Sequence, residues 1–260
     1  MATKPSQFIW YELLTSDIDA ATSFYSTVVG WNIADSGMPG MDYRILHAGD
    51  AVVGGMMTIP APAAAMGMPP MWLGYVRVED VDATIAGILA AGGSVRMPAT
   101  DIPGVGRVAT IADPFGAAIY IMKPAMEQGD STAFAHRQPG HIGWNELHTS
   151  DWPAALSFYS AHFGWGKSSE MDMGPMGSYL LFNTDGGDAV GGMANIPGIA
   201  RPYWLYYFVV EELDAAIARV QAAGGQVLVG PHPVPTGDWI VQCVDPQGAK
   251  FALVGQKTAG

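Results

Sequence analysis

Glu146 and His148, two residues apart in the segment 143–150 (GWNELHTS), have more chemical scope than any other pair in the chain. In an extended strand, residues i and i+2 point to the same side, so carboxylate and imidazole converge. A histidine on an otherwise apolar strand face is costly unless it has a partner. It also titrates near neutrality, which suits a general acid or base. The pair can equally be an unusual metal site, or a histidine bonded to its neighbour and otherwise inert. Glu12 holds the corresponding place in an earlier copy of this segment, where Leu14 stands in place of His148. It is a second candidate catalytic carboxylate, and equally a buried structural one.

That earlier copy shows how the chain is built. Residues 10–31 and 144–165 share 14 of 22 identities. The match continues through Tyr43 and Tyr179, Gly54-Gly55-Met56 and Gly191-Gly192-Met193, and Trp72-Leu73 and Trp204-Leu205. It ends at the turns beginning Asp113-Pro114 and Asp245-Pro246. The chain is a duplication, with expected domains at 5–125 and 139–257 and a linker at 126–138, inside a joint (124–140) rich in Pro, Gly, Gln and Ser and without clear periodicity. A fainter repeat divides each half. Asp17 with Ala20 resembles Asp80 with Ala83, and Asp151 with Ala154 resembles Glu212 with Ala215. Each of the four units has an apolar run, an acidic residue, a helical stretch and then glycine. Asp17 and Asp151 are suited to helix N-caps, and Gly30, Gly92, Gly164 and Gly224 to helix stops. Short runs such as 43–48, 51–58, 105–112 and 117–122 read as antiparallel strands. The expected fold is α+β: two tandem domains, each of two β-α-β-β-β units forming a curved mixed sheet with helices on the outside.

Composition narrows the function classes. With 12 Lys and Arg against 24 Asp and Glu the net charge is −12, which argues against nucleic acid or an anionic membrane surface as partner. Cys243 is the only cysteine, so neither an intrachain disulfide nor a multi-cysteine metal site is available. Its apolar surroundings suggest a buried, inert thiol. The N-terminus, Met-Ala-Thr-Lys-Pro-Ser, leads into no long apolar run, and the cytoplasm is the expected location.

The paired units resemble the vicinal oxygen chelate superfamily, which includes glyoxalase I, extradiol dioxygenases and bleomycin-resistance proteins. The resemblance is carried by Ser16-Asp17, Phe24-Tyr25, Gly30-Trp31, their partners in the second half, and the Asp-Pro-x-Gly turns. It implies a curved sheet wrapped around a ligand cup. It also implies His or Glu on the first and last strands of each unit, holding a divalent metal. Those places fall here at Trp10 and Trp144, Leu73 and Leu205, Tyr120 and Ala252, and near Gly55-Met56 and Gly192-Met193. None is a normal ligand for a hard or borderline cation. No resident cofactor is therefore expected; the one route left to a divalent metal runs through Glu12, or through Glu146 with His148.

The candidate ligand-contacting residues are Trp10, Trp144, Tyr43, Tyr179, Tyr75, Tyr207 and Tyr120, with Arg107 and Trp239 at one matched position of the two halves. Arg107 could neutralise an anionic substrate or simply be a solvated strand-end arginine. Met-rich loops at 37–42, 66–71 and 170–177 suit the mouth of an adaptable apolar pocket, or packing on the sheet. Two functions remain. One is an enzyme acting on a small carbonyl or aromatic compound through Glu146 and His148, with Glu12 as the alternative. The other is a resistance-type protein that sequesters such a compound. Either way the partner is a small molecule, and a homodimer is compatible with the sequence.

Overall fold

The computed structural model describes residues 6–125 and 131–257. The opening residues read for a leader, the first part of the expected linker (126–130) and the Met176 side chain of the third Met-rich loop lie outside the described residues. Four β-α-β-β-β units follow one another. The first is β1 (Phe8–Thr15), α1 (Ile18–Val28), β2 (Asn32–Asp35), β3 (Tyr43–Ala48) and β4 (Ala51–Thr58). A short helix, α2 (Ala61–Ala65), leads to the second: β5 (Met71–Arg77), α3 (Val81–Ala90), β6 (Ser94–Ile102), β7 (Gly106–Ala112) and β8 (Ala118–Pro124). The third is β9 (Ile142–Thr149), α4 (Trp152–Phe163), β10 (Gly166–Asp172), β11 (Ser178–Asn183) and β12 (Gly191–Asn195). The fourth is β13 (Tyr203–Glu212), α5 (Leu213–Ala222), β14 (Gln226–Pro233), β15 (Trp239–Val244) and β16 (Lys250–Gln256).

Each half forms one eight-stranded mixed sheet, ordered β2-β3-β4-β1-β5-β8-β7-β6 and β10-β11-β12-β9-β13-β16-β15-β14. Within every unit the last three strands are antiparallel, and the first strand returns parallel to the last. A parallel return requires a crossover, and the unit's helix supplies part of it.

Short polar side chains set the helix starts. Asp17, Asp80 and Asp151 each accept the backbone N–H three residues on, at 3.0, 3.0 and 3.1 Å. Glu212 holds the matching place before α5 but makes no such side-chain bond. The Asp-Pro-x-Gly turns are tighter constructions. Asp113 Oδ1 accepts N–H from Phe115, Gly116 and Ala117, and Asp245 Oδ1 accepts from Gln247, Gly248 and Ala249, all within 3.0 Å. Gly116 and Gly248 have φ of 106° and 104°, which glycine adopts without strain.

Compactness divides the chain differently from the repeat. One unit gathers the chain up to Ile9, Gly74–Ser131 and Asn145–Trp204; the other gathers Trp10–Leu73, Thr132–Trp144 and the chain from Leu205 onward. In the first, Asp113 Oδ2 accepts the Tyr159 hydroxyl at 3.0 Å, and the Tyr159 oxygen accepts Trp204 Nε1–H at 3.2 Å. In the second, Asp245 accepts Tyr25 at 2.9 Å, and Tyr25 accepts Trp72 at 2.9 Å. Both carboxylates are buried, and desolvation raises them above the usual range despite their hydrogen bonds. Trp72 and Trp204 thus belong to aromatic cores, the former with Trp31 and Phe208, the latter with Trp165 and Phe182.

The described part of the expected linker is held down. Ser131 Oγ donates to the Ile9 carbonyl, Thr132 Oγ1 donates to that of Val52, and Ala133 is buried. Among the described residues no helix is long and apolar enough to cross a membrane.

Candidate functional site

The sites grow from β1 and β9. In each, alternate side chains lie on one face: Trp10, Glu12 and Leu14 on β1, and Trp144, Glu146 and His148 on β9. Glu12 pairs in register with Gly55 of β4, and Glu146 with Gly192 of β12. These glycines sit inside strands at normal strand φ, so conformational freedom is not their use. An added Cβ would lie 2.2 Å from Tyr43 Oη at Gly55 and 2.1 Å from Tyr179 Oη at Gly192. The missing side chain lets a tyrosine on the third strand lean diagonally across the fourth and reach the carboxylate on the first.

In the first half Tyr43 Oη–H donates to Glu12 Oε2 at 2.9 Å and accepts Trp10 Nε1–H at 2.9 Å. In the second half Tyr179 Oη–H donates to Glu146 Oε2 at 2.7 Å, and His148 Nε2 lies 2.5 Å from Glu146 Oε1. Glu12, Glu146 and His148 are 3, 7 and 6 % exposed. Among the described residues His148 Nδ1 makes no hydrogen bond. The ring of Tyr203 stands 4.8 Å from the His148 ring, and burial, with the charge of Glu146, pushes its phenol up to about 12. Tyr203 went unnoticed in the sequence, although its two-residue spacing from Leu205 places it on the same face of β13.

The other candidates are dispersed. Tyr75 and Tyr120 stack on each other, centroids 4.1 Å apart. Tyr207 accepts the Gln242 amide at 3.2 Å, the two flanking Ala252 in register. Trp144 lies 6.3 Å from the ring of His136. Arg107 is held by Asp82 and Asp101 at 2.9 and 3.0 Å. The Lys257 ammonium lies 4.7 Å from the Trp239 ring. Met41, Met66 and Met173 of the Met-rich loops are 42, 88 and 39 % exposed. Cys243 is buried, and burial pushes its thiol up to about 12.

No group of three or more His, Cys, Asp or Glu that could hold a metal ion exists among the described residues. Glu146 and His148 supply only two side chains, already bonded to each other. Structural and catalytic cation sites need three or more oxygen, nitrogen or sulfur ligands. These residues do not fit a resident divalent metal.

The Glyoxalase/Bleomycin resistance protein/Dioxygenase superfamily matches this sequence twice, over residues 7–121 and 138–253. The chain belongs to that family. It is 36% identical over 250 residues to CFP32 of Mycobacterium bovis, whose name carries a provisional glyoxylase assignment, covering 94% of this chain and 93% of that protein. It is 31% identical over 268 residues to the anthracycline biosynthesis protein DnrV of Streptomyces peucetius, covering 96% and 93%. Its fold is shared with the Mn(II)-bound glyoxalase from Novosphingobium aromaticivorans (TM-score 0.64, 17% identity, 97% of this chain and 82% of that one). It is shared too with homoprotocatechuate 2,3-dioxygenase from Arthrobacter globiformis (TM-score 0.67, 14% identity, 97% and 80%).

Proposed function

We propose that this protein binds a small carbonyl or aromatic molecule and moves a proton on it with the Glu146–His148 pair. The observation that carries this reading is the asymmetry of the His148 ring: Nε2 is held by Glu146 at 2.5 Å, while Nδ1 makes no hydrogen bond among the described residues. With Glu146 ionised, Nε2 carries the proton and Nδ1 is the basic nitrogen. That nitrogen can take a proton from carbon next to a carbonyl, the electron pair moving onto the carbonyl oxygen. The resulting imidazolium, stabilised by Glu146, returns the proton to carbon or to oxygen. Tyr179 holds the other carboxylate oxygen and so fixes Glu146. No step uses a metal.

The relatives' names lend support to this reading, one through glyoxylase and one through anthracycline biosynthesis. The cytoplasm is the proposed place of work. The test is exchange in D₂O: the wild-type chain is incubated with α-hydroxyketones and polycyclic hydroxyquinones, and deuterium uptake is followed by mass spectrometry. Wild type should speed uptake into at least one class, and His148→Leu should lower that rate on the order of 10²–10⁴-fold while keeping the melting curve. Equal rates in the two proteins would remove His148 from the reaction.

A second reading, sequestration without turnover, is favoured by one feature. The first half keeps its buried, tyrosine-held carboxylate with Leu14 in place of the histidine, so an acid–base role does not explain Glu12. Tight binding of a compound recovered without exchange would support it.

A further inference from the structure

We infer that a proton, not a divalent cation, is the bridging species of the second-half site, and that Tyr43 and Tyr179 are the donors that occupy the two buried carboxylates in place of a metal. Three observations carry this. The first is a distance. Metal–ligand bonds of about 2.1 Å, at the angles tetrahedral or octahedral sites allow, put neighbouring donor atoms about 3 Å apart or more. Glu146 Oε1 and His148 Nε2 are 2.5 Å apart. That is shorter even than a charge-assisted N–H···O bond, about 2.7–2.9 Å, and closer than two ligands of one ion stand.

The second is the state of the remaining carboxylate oxygens. Glu146 Oε2 and Glu12 Oε2 each accept a phenol hydrogen, at 2.7 and 2.9 Å. A cation binding there would have to displace it. The third is that both arrangements are built in the same way. Gly55 and Gly192 each leave the space that the phenol fills, where a methyl group would stand 2.2 or 2.1 Å from the tyrosine oxygen. A glycine at both matched positions of a duplicated chain serves the tyrosine–carboxylate bond, and in neither half does a third carboxylate or imidazole join to make a metal group among the described residues.

The inference holds whether or not the pair turns a substrate over, so its test is separate from the exchange assay. The full chain, purified without chelators, is analysed for metals, and its exchangeable protons are recorded by NMR in the cold before and after one equivalent of Mn(II). The expected result is no stoichiometric metal and a far-downfield imidazole proton that survives Mn(II) without broadening. That signal should vanish in His148→Leu and Glu146→Gln and persist in Tyr43→Phe. One equivalent of metal whose removal by EDTA shifts the melting curve, paramagnetic broadening at equimolar Mn(II), or no downfield proton in wild type would each overturn it. The wild-type measurements decide the matter even if a variant does not fold.

Discussion

Tyr179 reaches Glu146 across the backbone of Gly192, with 2.7 Å between phenol and carboxylate oxygens. The contact depends on a side chain that is not there. Gly192→Ala would place a methyl carbon 2.1 Å from the phenol oxygen, so the ring must leave. Overpacking of this kind costs about 1–3 kcal/mol. We expect a lower melting temperature than wild type, with the Glu146 bond lost. Gly55→Ala should do the same in the first half. Thermal denaturation of both variants checks this, and an unchanged melting curve in either would show that the ring has another way to lie.

Tyr179→Phe separates the bond from the packing. It removes one hydroxyl and leaves the ring. A hydrogen bond to a charged group contributes about 1.5–3 kcal/mol, and the buried Glu146 would lose that donor. We expect stability to fall by that amount, measured by urea denaturation. The pH profile of any turnover should move as well, because the carboxylate that supports His148 loses its tyrosine donor. A purely structural tyrosine would lower the stability and leave the profile alone.

The sequence carried the strands and their faces because period-two alternation survives in β1 and β9, and carried the helix starts because Asp17, Asp80 and Asp151 each cap. It placed Glu146 beside His148 for the same reason. The tyrosine–carboxylate bonds were not legible. They depend on a diagonal contact between Tyr43, which pairs with Met57, and a residue two strands away, and pairing register is not written in one strand alone. Nor could spacing show that Tyr25 bonds Asp245, 220 residues on, so that compact units draw on both halves. At Gly54-Gly55 both features of a strand glycine occur together: close approach of Tyr11 and Tyr43, and a shift of the β3–β4 register beside Gly54.

Cys243 offers a simple check of the core. Its thiol is buried and pushed up to about 12 by desolvation, so at pH 8 almost none of it is thiolate. The native protein should react with a disulfide reagent such as DTNB far more slowly than the protein in guanidinium chloride, where one thiol should titrate at once. Rapid reaction of the native chain would place Cys243 in a more open setting than β15 between β14 and β16.

The buried Asp245 should leave a mark on stability as a function of pH. Its folded carboxylate titrates above the unfolded value because burial disfavours the charge more than Tyr25 and three backbone N–H groups favour it. The folded state therefore holds this proton more tightly than the unfolded chain does. The contribution to stability is fully present below the unfolded carboxylate pKa and is lost as pH rises through the folded one. Asp245→Asn keeps an oxygen for the three N–H donors and cannot ionise. Relative to wild type, Asp245→Asn should be least stable at acid pH, and the gap should narrow as pH rises through the folded pKa of Asp245. Melting temperatures of the two proteins across the acid range measure this directly. A gap that widens with rising pH would mean that hydrogen bonding outweighs desolvation and that the ionised form is the one the turn prefers.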